Sequence, residues 1–562
     1  MSEPVNVGGA LVSEPVRVDD PDSCAWDAAA DVVVVGFGAA GAAAAIQVVQ
    51  HGGSALVLDR FQGGGATTLS GGIIYAGGGT RQQLDAGVRD DPDNMFRYLS
   101  LETQGSVSDE CLREFCNGSV AMMNWLEGLG LEFKGTLSPI KTSYPSQPYF
   151  LYYSGNEGLP ASAEHATPAP RGHRHVAKGQ AGGTLYRRLK AAAVRAGVTA
   201  MLQTRVRRLV LDGQHRVIGV EAEQMPPGTL QSWLHAAICR VCNGMGPNGV
   251  SAYGLLRPLL EKLERDTGVK KLIRARRGVI LATGGYVMSP AMRKTYLTKY
   301  EGAMPNGAPS CDGSGILLGE SVGGATRMMD HASAWRFINP PWAFAKAPIV
   351  NARGERFCNE GAYGARIGRE LVQQPDGKAW LVLDQKLFDQ ARFESRRGRA
   401  WLFQSAQALL TMYFNRKKAA TIGELAAACG IDAHALSSTI DQYNRIVRGE
   451  VPDPFRKNAE YLSTITEAPF YALNISVDSK TFPLAVISFG GLEVDERTSQ
   501  VRRADGTLIE NLYAVGRTAA GIPSNNYMSG FAIADCIFTG RRAANAVMAN
   551  QPAEGRAGAN AA

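Results

Sequence analysis

The chain contains no uninterrupted apolar run of about 18 residues, the length that a membrane-spanning helix requires. Its first residues, MSEPVNVGGALVSEPVRVDD, contain no basic segment followed by an apolar core and no paired arginines, so no secretory leader is recognised. We therefore expect a cytoplasmic protein. Hydrophobic residues make up 45% and charged residues 20% of the 562 residues, which is typical of a globular enzyme with a large core.

Cysteine is scarce and basic clusters are absent. Nine cysteines, an odd number, do not suggest a disulfide framework. Cys239 and Cys242 form a C-x-x-C with no second Cys or His pair at ligand spacing, and we expect no metal site. His173 and His175 are predicted to be solvated loop residues. The net charge of +7 is spread along the chain without a stripe of Lys, Arg and aromatics, so we expect no nucleic-acid partner.

Glycine, in contrast, is abundant, with 64 residues that fall in many short clusters. One cluster, GFGAAG, follows the apolar run 31–35 and precedes a helix-like stretch at 42–50; the next strand ends in Asp59. In this Gly-x-Gly-x-x-Gly the first glycine makes the turn, the second lets the backbone approach a pyrophosphate, and the third allows close packing. The helix start faces the phosphates, and Asp59 is placed to bind an adenosine ribose.

Residues 1–25 and 550–562 are predicted to be flexible because they are polar and contain Pro or Gly. Residues 225–271 interrupt two strands, and their Leu, Trp and Ile recur at helical spacing beside Arg, Lys and His. This pattern is typical of an amphipathic helix pair that lies on a bilayer, or that packs against the body of the protein or a partner subunit. The sequence leaves these alternatives open.

Six further motifs occur in the order that is found in the fumarate reductase and succinate dehydrogenase flavoprotein family. The chain resembles that family over about residues 30–546. The resemblance implies an α/β protein: a Rossmann-like FAD-binding domain of the glutathione-reductase type from residues 26–330 and 481–549, with an inserted α+β cap domain at 331–480. The motifs are GGGATTLSGG (63–72), ILATGG (280–285), CDGSG (311–315), GERFCNEG (354–361), GGLEVD (490–495) and NLYAVGR (511–517).

The glycine-rich turn and the resemblance together predict FAD as the cofactor and a set of binding residues along the chain. The resemblance also implies that the C-terminal helix, starting near Ser529 and Gly530, points its positive end at the flavin. The predicted FAD-binding residues are Gly36, Gly38, Ala39, Ala40, Gly41, Asp59, Arg60, Thr67, Thr68, Ser70, Gly71, Gly72, Val206, Ala282, Thr283, Gly284, Asp312, Gly516, Arg517, Gly530 and Ile533.

The chain departs from the family's dicarboxylate enzymes where they bind and protonate their substrate. The position expected for their proton-donating Arg is Gly364, with Tyr363 beside it, and Tyr527 replaces a carboxylate-binding Arg. A tyrosine whose pKa is lowered by neighbouring donors can remove a proton next to a ketone. The second C–H hydrogen then leaves as hydride to the flavin.

The sequence Tyr-x-Ser-Gly at 527–530 resembles the 3-ketosteroid Δ4-(5α)-dehydrogenase branch of the family, and YYSGNE at 152–157 resembles the same branch. This resemblance implies a 3-ketosteroid substrate, oxidised to its 4-ene, with Tyr527 taking the proton at carbon 4. Tyr363 and Ser529 then polarise the keto oxygen or relay the proton. Ser529 could instead cap the terminal helix.

Other interpretations remain open at this point. Trp335 and Phe337, with Gly530, are predicted substrate contacts, but these aromatic residues, like Trp342 and Phe344, could equally form the core of the cap. Alternative functions are 3-ketosteroid Δ1-dehydrogenation, reduction of an unsaturated acid, and a purely structural use of FAD. An external electron acceptor is required; the sequence identifies neither this acceptor nor the oligomeric state.

Overall fold

A computed structural model describes residues 12–244, 248–396 and 401–550. Of the ends predicted to be flexible, 1–25 and 550–562, residues 1–11 and 551–562 lie outside the described residues. No helix among the described residues combines the length and the apolar character needed to cross a bilayer.

Strands and helices alternate along most of the chain. Up to residue 330 the strands are β1 (Val16–Arg17), β2 (Ala28–Val35), β3 (Ala55–Asp59), β4 (Ile73–Tyr75), β5 (Leu151–Tyr152), β6 (Gly172–Arg174), β7 (Thr199–Leu202), β8 (Thr204–Leu211), β9 (Val217–Gln224), β10 (Val269–Leu281), β11 (Met304–Pro305) and β12 (Thr326–Arg327). The helices of this part are α1 (Ala39–Gln50), α2 (Gly65–Leu69), α3 (Arg81–Asp85), α4 (Pro92–Thr103), α5 (Asp109–Asn117), α6 (Ser119–Gly128), α7 (Pro160–Ala163), α8 (Gly182–Ala196), α9 (Leu230–Gly244), α10 (Asn248–Thr267), α11 (Pro290–Tyr296) and α12 (Ser314–Glu320).

The remaining elements fall into two groups. Between 331 and 480 they are β13 (Ala332–Trp335), α13 (Trp342–Lys346), β14 (Ile349–Asn351), α14 (Gly364–Leu371), β15 (Ala379–Leu383), α15 (Gln385–Glu394), α16 (Leu402–Phe414), β16 (Arg416–Ala419), α17 (Ile422–Cys429), α18 (Ala433–Val447) and β17 (Phe470–Asn474). After residue 480 they are β18 (Ala485–Ser488), β19 (Gly491–Leu492), β20 (Gln500–Arg502), β21 (Leu508–Ala514) and α19 (Phe531–Ala549).

The main sheet has the strand order β1-β8-β9-β10-β2-β3-β7, with β21 paired to β10 and β20 paired to β21. β2 pairs in parallel with both β3 and β10, and β10 pairs in parallel with β21. The valine run 32–35 is buried throughout, as expected for a parallel strand that is covered on both faces. The predicted α/β fold with a Rossmann-like parallel core is therefore confirmed.

β10 brings distant parts of the chain to one edge of the cofactor region. Its first six residues pair antiparallel with β9, whereas residues 279–281 pair in parallel with β21. A bulge between Ala275 and Gly278 shifts its register against β2. Residues 282–284 follow the end of β10 and lie beside the turn that precedes α1. The backbone N–H of Ala282 donates to Val35 O (2.7 Å).

The segment 331–480 contains a separate antiparallel sheet in the order β14-β15-β17-β16. β13 pairs instead with β18, whose partner on the other side is β11. The end of β13, Trp335, is thereby held against the part of the chain that follows residue 480. This pairing positions the aromatic residues of the site described below.

Two predictions about chain segments are corrected. Val16 and Arg17, within the predicted flexible N-terminus, form β1 and pair in parallel with β8. The backbone N–H of Val18 also donates to Leu211 O (2.9 Å), so the open edge of the sheet orders this segment.

His173 and His175 are buried rather than solvated. His173 lies in β6 between two other strands, and burial lowers its pKa to about 4.

The insertion 225–271 forms the helix pair α9 and α10. Its inner face packs on the body of the protein through residues of the main core, including Ile238, Cys239 and Leu260. Packing against the body, one of the alternatives that the sequence left open, is therefore observed. The outer face carries exposed apolar side chains.

Candidate functional site

The turn between β2 and α1 has the geometry that the glycine motif predicts. Gly36 has φ +106°, and a Cβ on it would lie 2.5 Å from Ala282 O. A Cβ on Gly41 would lie 1.9 Å from Gly36 O, so any side chain at either position forces the turn apart. Gly38 caps α1 without a side-chain hydrogen bond. No side chain of the N-cap residue covers the first turn of α1, whose N-terminus is therefore suited to a phosphate.

Asp59 organises the backbone around this helix start. One carboxylate oxygen accepts from the N–H of Phe37 (2.8 Å), and the other accepts from the N–H groups of Phe61 (2.8 Å) and Gly63 (3.1 Å). The carboxylate therefore fixes the β2–α1 turn and the loop after β3 relative to each other. Its predicted contact with a ribose stays a prediction.

The second predicted loop lies directly against the first. The backbone N–H of Ala39 donates to Thr67 Oγ1 (3.0 Å), which joins α2 to the start of α1. The hydroxyls of Thr68 and Ser70 bond within their own loop, at 2.8 Å to Gly65 O and Thr67 O. A Cβ on Gly72 would lie 2.5 Å from the carbonyl carbon of Ala181, so this position has room only for glycine.

Predicted residues from the later parts of the chain complete this region. A Cβ on Gly516 would lie 3.2 Å from Ala40 Cβ, and Arg517 Nη2 donates to Cys311 Sγ (3.2 Å). Within the described residues, the buried Arg517 Nη1 has no hydrogen-bond partner. A buried guanidinium nitrogen without a hydrogen-bond partner fits an anionic, carbonyl-bearing cofactor such as FAD.

Four further residues that are predicted to bind FAD lie in different parts of the fold. Arg60 Nη1 pairs with Asp312 Oδ2 (2.8 Å). Val206 is buried in β8, and Ile533 lies in the first turn of α19. The roles of Val206 and Ile533 in binding FAD stay predictions.

The residues predicted to bind substrate and to perform catalysis form one aromatic cluster. The Tyr527 ring stacks between Trp335 (centroids 5.1 Å apart) and Phe489 (5.6 Å). Phe337 contacts both Trp335 (5.6 Å) and the ring of Tyr363 (5.3 Å). The structure thus brings together all four aromatic residues that the sequence singled out for the site.

Ser529 and Gly530 lie at the start of α19, next to this cluster. Gly530 is the N-cap, with φ +88° and no side-chain cap, so Ser529 does not have the capping role that the sequence left open. Burial raises the pKa of Tyr363 and of Tyr152 well above the ordinary value, and the nearby Ser529 hydroxyl opposes this rise in both. A Cβ on Gly530 would lie 2.7 Å from Tyr75 N, which explains the glycine.

The expected lowering of the catalytic tyrosine pKa is wrong. Burial raises the pKa of Tyr527 to about 12, although the Gly530 N–H and the charge of Arg517 both lower it. Burial likewise raises the pKa of Tyr363 well above its ordinary value. The donors are present, but desolvation of a phenolate outweighs them.

Sequence reasoning missed a buried polar network behind the two tyrosines. The Glu102 carboxylate accepts from Asn156 Nδ2 (3.0 Å) and from Asn526 Nδ2. Asn156 Oδ1 in turn accepts from the backbone N–H of Tyr363 (2.7 Å). Asn526 directly precedes Tyr527 in the sequence, and this adjacency could have pointed to Asn526. Glu102 lies inside α4, and nothing in the sequence around it indicates that it joins the network.

Tyr152 and the remaining cap aromatics complete the surroundings of the cluster. Tyr152, within the motif YYSGNE, has no role predicted from the sequence, and the structure places it beside Ser529. Phe344 is buried in the core, as the alternative interpretation expects, whereas Trp342 Nε1 donates to Lys141 O (2.8 Å). Trp335 and Phe337 join the cluster around Tyr527.

Comparisons with known proteins agree with this geometry. A family model described as an FAD binding domain matches residues 31–533. The 3-oxo-5-alpha-steroid 4-dehydrogenase of Comamonas testosteroni is 38% identical over 517 residues, covering 90% of this chain and 96% of that protein. The 3-oxosteroid 1-dehydrogenase of Mycobacterium tuberculosis is 27% identical, covering 88% and 94%. The crystal structure of a 3-ketosteroid-Δ4-(5α)-dehydrogenase from Rhodococcus jostii with 4-androstene-3,17-dione has a TM-score of 0.80 at 30% identity, covering 96% of this chain and 100% of that one.

Proposed function

Because the chain belongs to the FAD-binding domain family of flavoproteins, we propose that it is an FAD-dependent oxidoreductase that converts a 3-oxo-5α-steroid to its 3-oxo-4-ene. The single observation that carries this proposal is the cluster of Tyr527, Tyr363 and Ser529 beside the predicted flavin end of α19. FAD as the cofactor and membership of the steroid 4-dehydrogenase branch agree with the relatives above.

The residues that would hold FAD surround the start of α1. The N-terminus of α1 would bind the diphosphate, Asp59 would bind the ribose, and Arg517 would supply a cation whose buried Nη1 has no hydrogen-bond partner among the described residues. FAD, when bound, accepts the hydride that leaves carbon 5 of the steroid.

We assign removal of the carbon 4 proton to the Tyr527 oxygen. The adjacent ketone acidifies this carbon, and the Gly530 N–H and Arg517 stabilise the phenolate that must form first. Stacking between Trp335 and Phe489 fixes the ring plane and keeps water away from it. Loss of the proton and of the hydride leaves the carbon 4 to carbon 5 double bond.

Tyr363 and Ser529 are assigned to the keto oxygen. A buried tyrosine with a strongly raised pKa remains protonated, so Tyr363 can donate a hydrogen bond to the oxygen as negative charge develops on it. The Ser529 hydroxyl lies near Tyr363 and Tyr152, and we assign it the relay of a proton when the steroid is bound.

The position of oxidation distinguishes the proposal from its main alternative. We expect a saturated 5α-3-ketosteroid to reduce the bound flavin under anaerobic conditions and to yield the 4-ene with a dye acceptor. A 4-ene-3-ketone should leave the flavin oxidised, because its carbon 4 to carbon 5 bond is already unsaturated. Flavin absorbance and product analysis check both; reaction of the 4-ene alone would instead favour Δ1-dehydrogenation. Reduction of fumarate with a reduced dye as electron donor would favour another alternative, a reductase of unsaturated acids.

We further propose that the outer face of the insertion 225–271 contacts an anionic bilayer. On α9, Leu230 and Trp233 are 74% and 66% exposed and share one helix face, and on α10 Leu255 is 83% exposed. Arg240 and Lys262 are also exposed, and they lie about two helical turns after Trp233 and Leu255 on the same helices. Apolar side chains bordered by cations are typical of helices that lie in the interface of an anionic membrane.

Vesicle flotation tests the membrane contact. The protein should float with vesicles that contain phosphatidylserine, and Trp233→Ser combined with Leu255→Ser should reduce the floating fraction at least about tenfold, since each buried apolar side chain contributes roughly 1.5–3 kcal/mol. Leu84→Ser is the matched control, because Leu84 is 62% exposed on a different part of the surface. Equal flotation of both variants would refute the contact.

A further inference from the structure

The inner face of the insertion carries a buried carboxylate that contacts the end of β3. Glu264, in α10, is 5% exposed. It accepts from Arg60 Nε and Nη2 (both 2.9 Å) and from Arg205 Nη1 (3.1 Å). His235 Nε2, from α9, lies 3.1 Å from the same carboxylate. One side chain of α10 thus connects both insertion helices to the main sheet.

The cluster is balanced in charge. The second arm of Arg60 pairs with Asp312 (2.8 Å), so two guanidinium groups face two carboxylates in a buried setting. Although burial opposes ionisation, Arg60, His235 and Arg205 hold the pKa of Glu264 at about 2. Removing a single member of such a buried set leaves an uncompensated charge, which costs far more than a surface pair would.

The same contact reaches the predicted ribose site through the next residue. The imidazole of His235 stacks on Phe61 with centroids 5.7 Å apart and 10° between the planes, and Arg60 lies 5.0 Å over the same ring. The N–H of Phe61 donates to Asp59, the residue expected at the adenosine ribose. Residues 59–61 are therefore held from one side by the glycine-rich turn and from the other by the insertion.

We propose that the insertion 225–271 clamps the adenosine end of the FAD site and that Glu264 is the positioning residue of this clamp. Glu264 acts through Arg60 and Phe61, which keep the Asp59 carboxylate and its loop in the geometry that the cofactor requires. The inference rests on FAD binding and not on the steroid reaction. It can therefore fail while the proposed function stands, and the reverse is also true.

The test is a titration of apoprotein with FAD, followed by quenching of flavin fluorescence, without any steroid. Glu264→Gln should weaken FAD binding about 10- to 100-fold, because the hydrogen bonds lost are to charged groups worth roughly 1.5–3 kcal/mol. Glu261→Gln is the matched control on the same helix: Glu261 pairs with Arg257 at 2.7 Å near the surface, and this variant should bind FAD within about twofold of the wild type.

A general loss of folding is separated from loss of the clamp by two further measurements. Thermal unfolding of both apoproteins shows whether Glu264→Gln is folded before FAD is added. If it is not, Arg205→Gln combined with Glu264→Gln leaves Arg60 paired with Asp312, restores the charge balance and should fold, yet still bind FAD weakly. Wild-type FAD affinity in a folded Glu264→Gln, or in the double variant, would overturn the proposal.

Discussion

Replacing Tyr527 by phenylalanine is expected to lower kcat/KM for a 5α-3-ketosteroid by about 10²–10⁴, the range for loss of a general base. The ring is retained, so the stacking on Trp335 and Phe489 is preserved, and FAD content and the unfolding temperature should not change. Stopped-flow reduction of the flavin by substrate measures the effect on the chemical step directly. A higher KM with an unchanged kcat would show instead that the hydroxyl only binds the steroid.

The pH dependence provides an independent check of the same assignment. Tyr527 acts as a base when deprotonated, and its pKa is raised to about 12, so its active fraction grows about tenfold with each pH unit below that value. The rate of flavin reduction should therefore rise steadily through the alkaline range. Tyr413→Phe, at a side chain that is 45% exposed, should leave the rate and the profile unchanged. A flat profile would mean that another group takes the proton.

Replacing Gly41 by alanine is expected to abolish stable FAD binding. The new Cβ would lie 1.9 Å from Gly36 O and 3.3 Å from a methyl group of Val34, so α1 must move away from the strand that precedes it. Overpacking of this kind costs about 1–3 kcal/mol or more, and here the displaced atoms belong to the predicted phosphate loop. We expect at least about a 100-fold weaker FAD affinity, measured by titration of the apoprotein, and a lower unfolding temperature.

The control for this substitution is the same change in open space. Gly423 lies in α17, and a Cβ there meets no atom within 4 Å. Gly423→Ala should leave FAD affinity unchanged and raise stability slightly, because alanine is the better helix former by roughly 0.5–1 kcal/mol. Tight FAD binding by Gly41→Ala would contradict the packing argument.

The glycine-rich turn and its strands are predictable because their determinants are local. Gly36, Gly38 and Gly41 lie within six residues of sequence, and each has a role that backbone geometry dictates. The meeting of Tyr363 with Tyr527 follows from family resemblance, since no periodicity links positions so far apart. The structure confirms the fold, and the two tyrosines lie in one cluster.

What could not be predicted depends on contacts between distant segments. Glu264 and Arg60 are separated by 204 residues, and neither helix pattern nor charge count pairs them. The raised pKa of Tyr527 follows from burial by several segments together, so its neighbouring donors alone indicate the wrong sign. The prediction that His173 is solvated is wrong because β6 and the two short strands that flank it have no clear alternation of apolar and polar residues.

The Glu102 network has a consequence for stereochemistry. Asn156 and Asn526 bond to one carboxylate, so the backbone of Tyr363 and the loop of Tyr527 are joined before any steroid enters. Separating them would break buried hydrogen bonds at a cost of roughly 1–3 kcal/mol each. Because the segments that carry Tyr363 and Tyr527 are held in one arrangement, we expect the flat, trans-fused 5α steroids to react and the bent, cis-fused 5β steroids to be rejected.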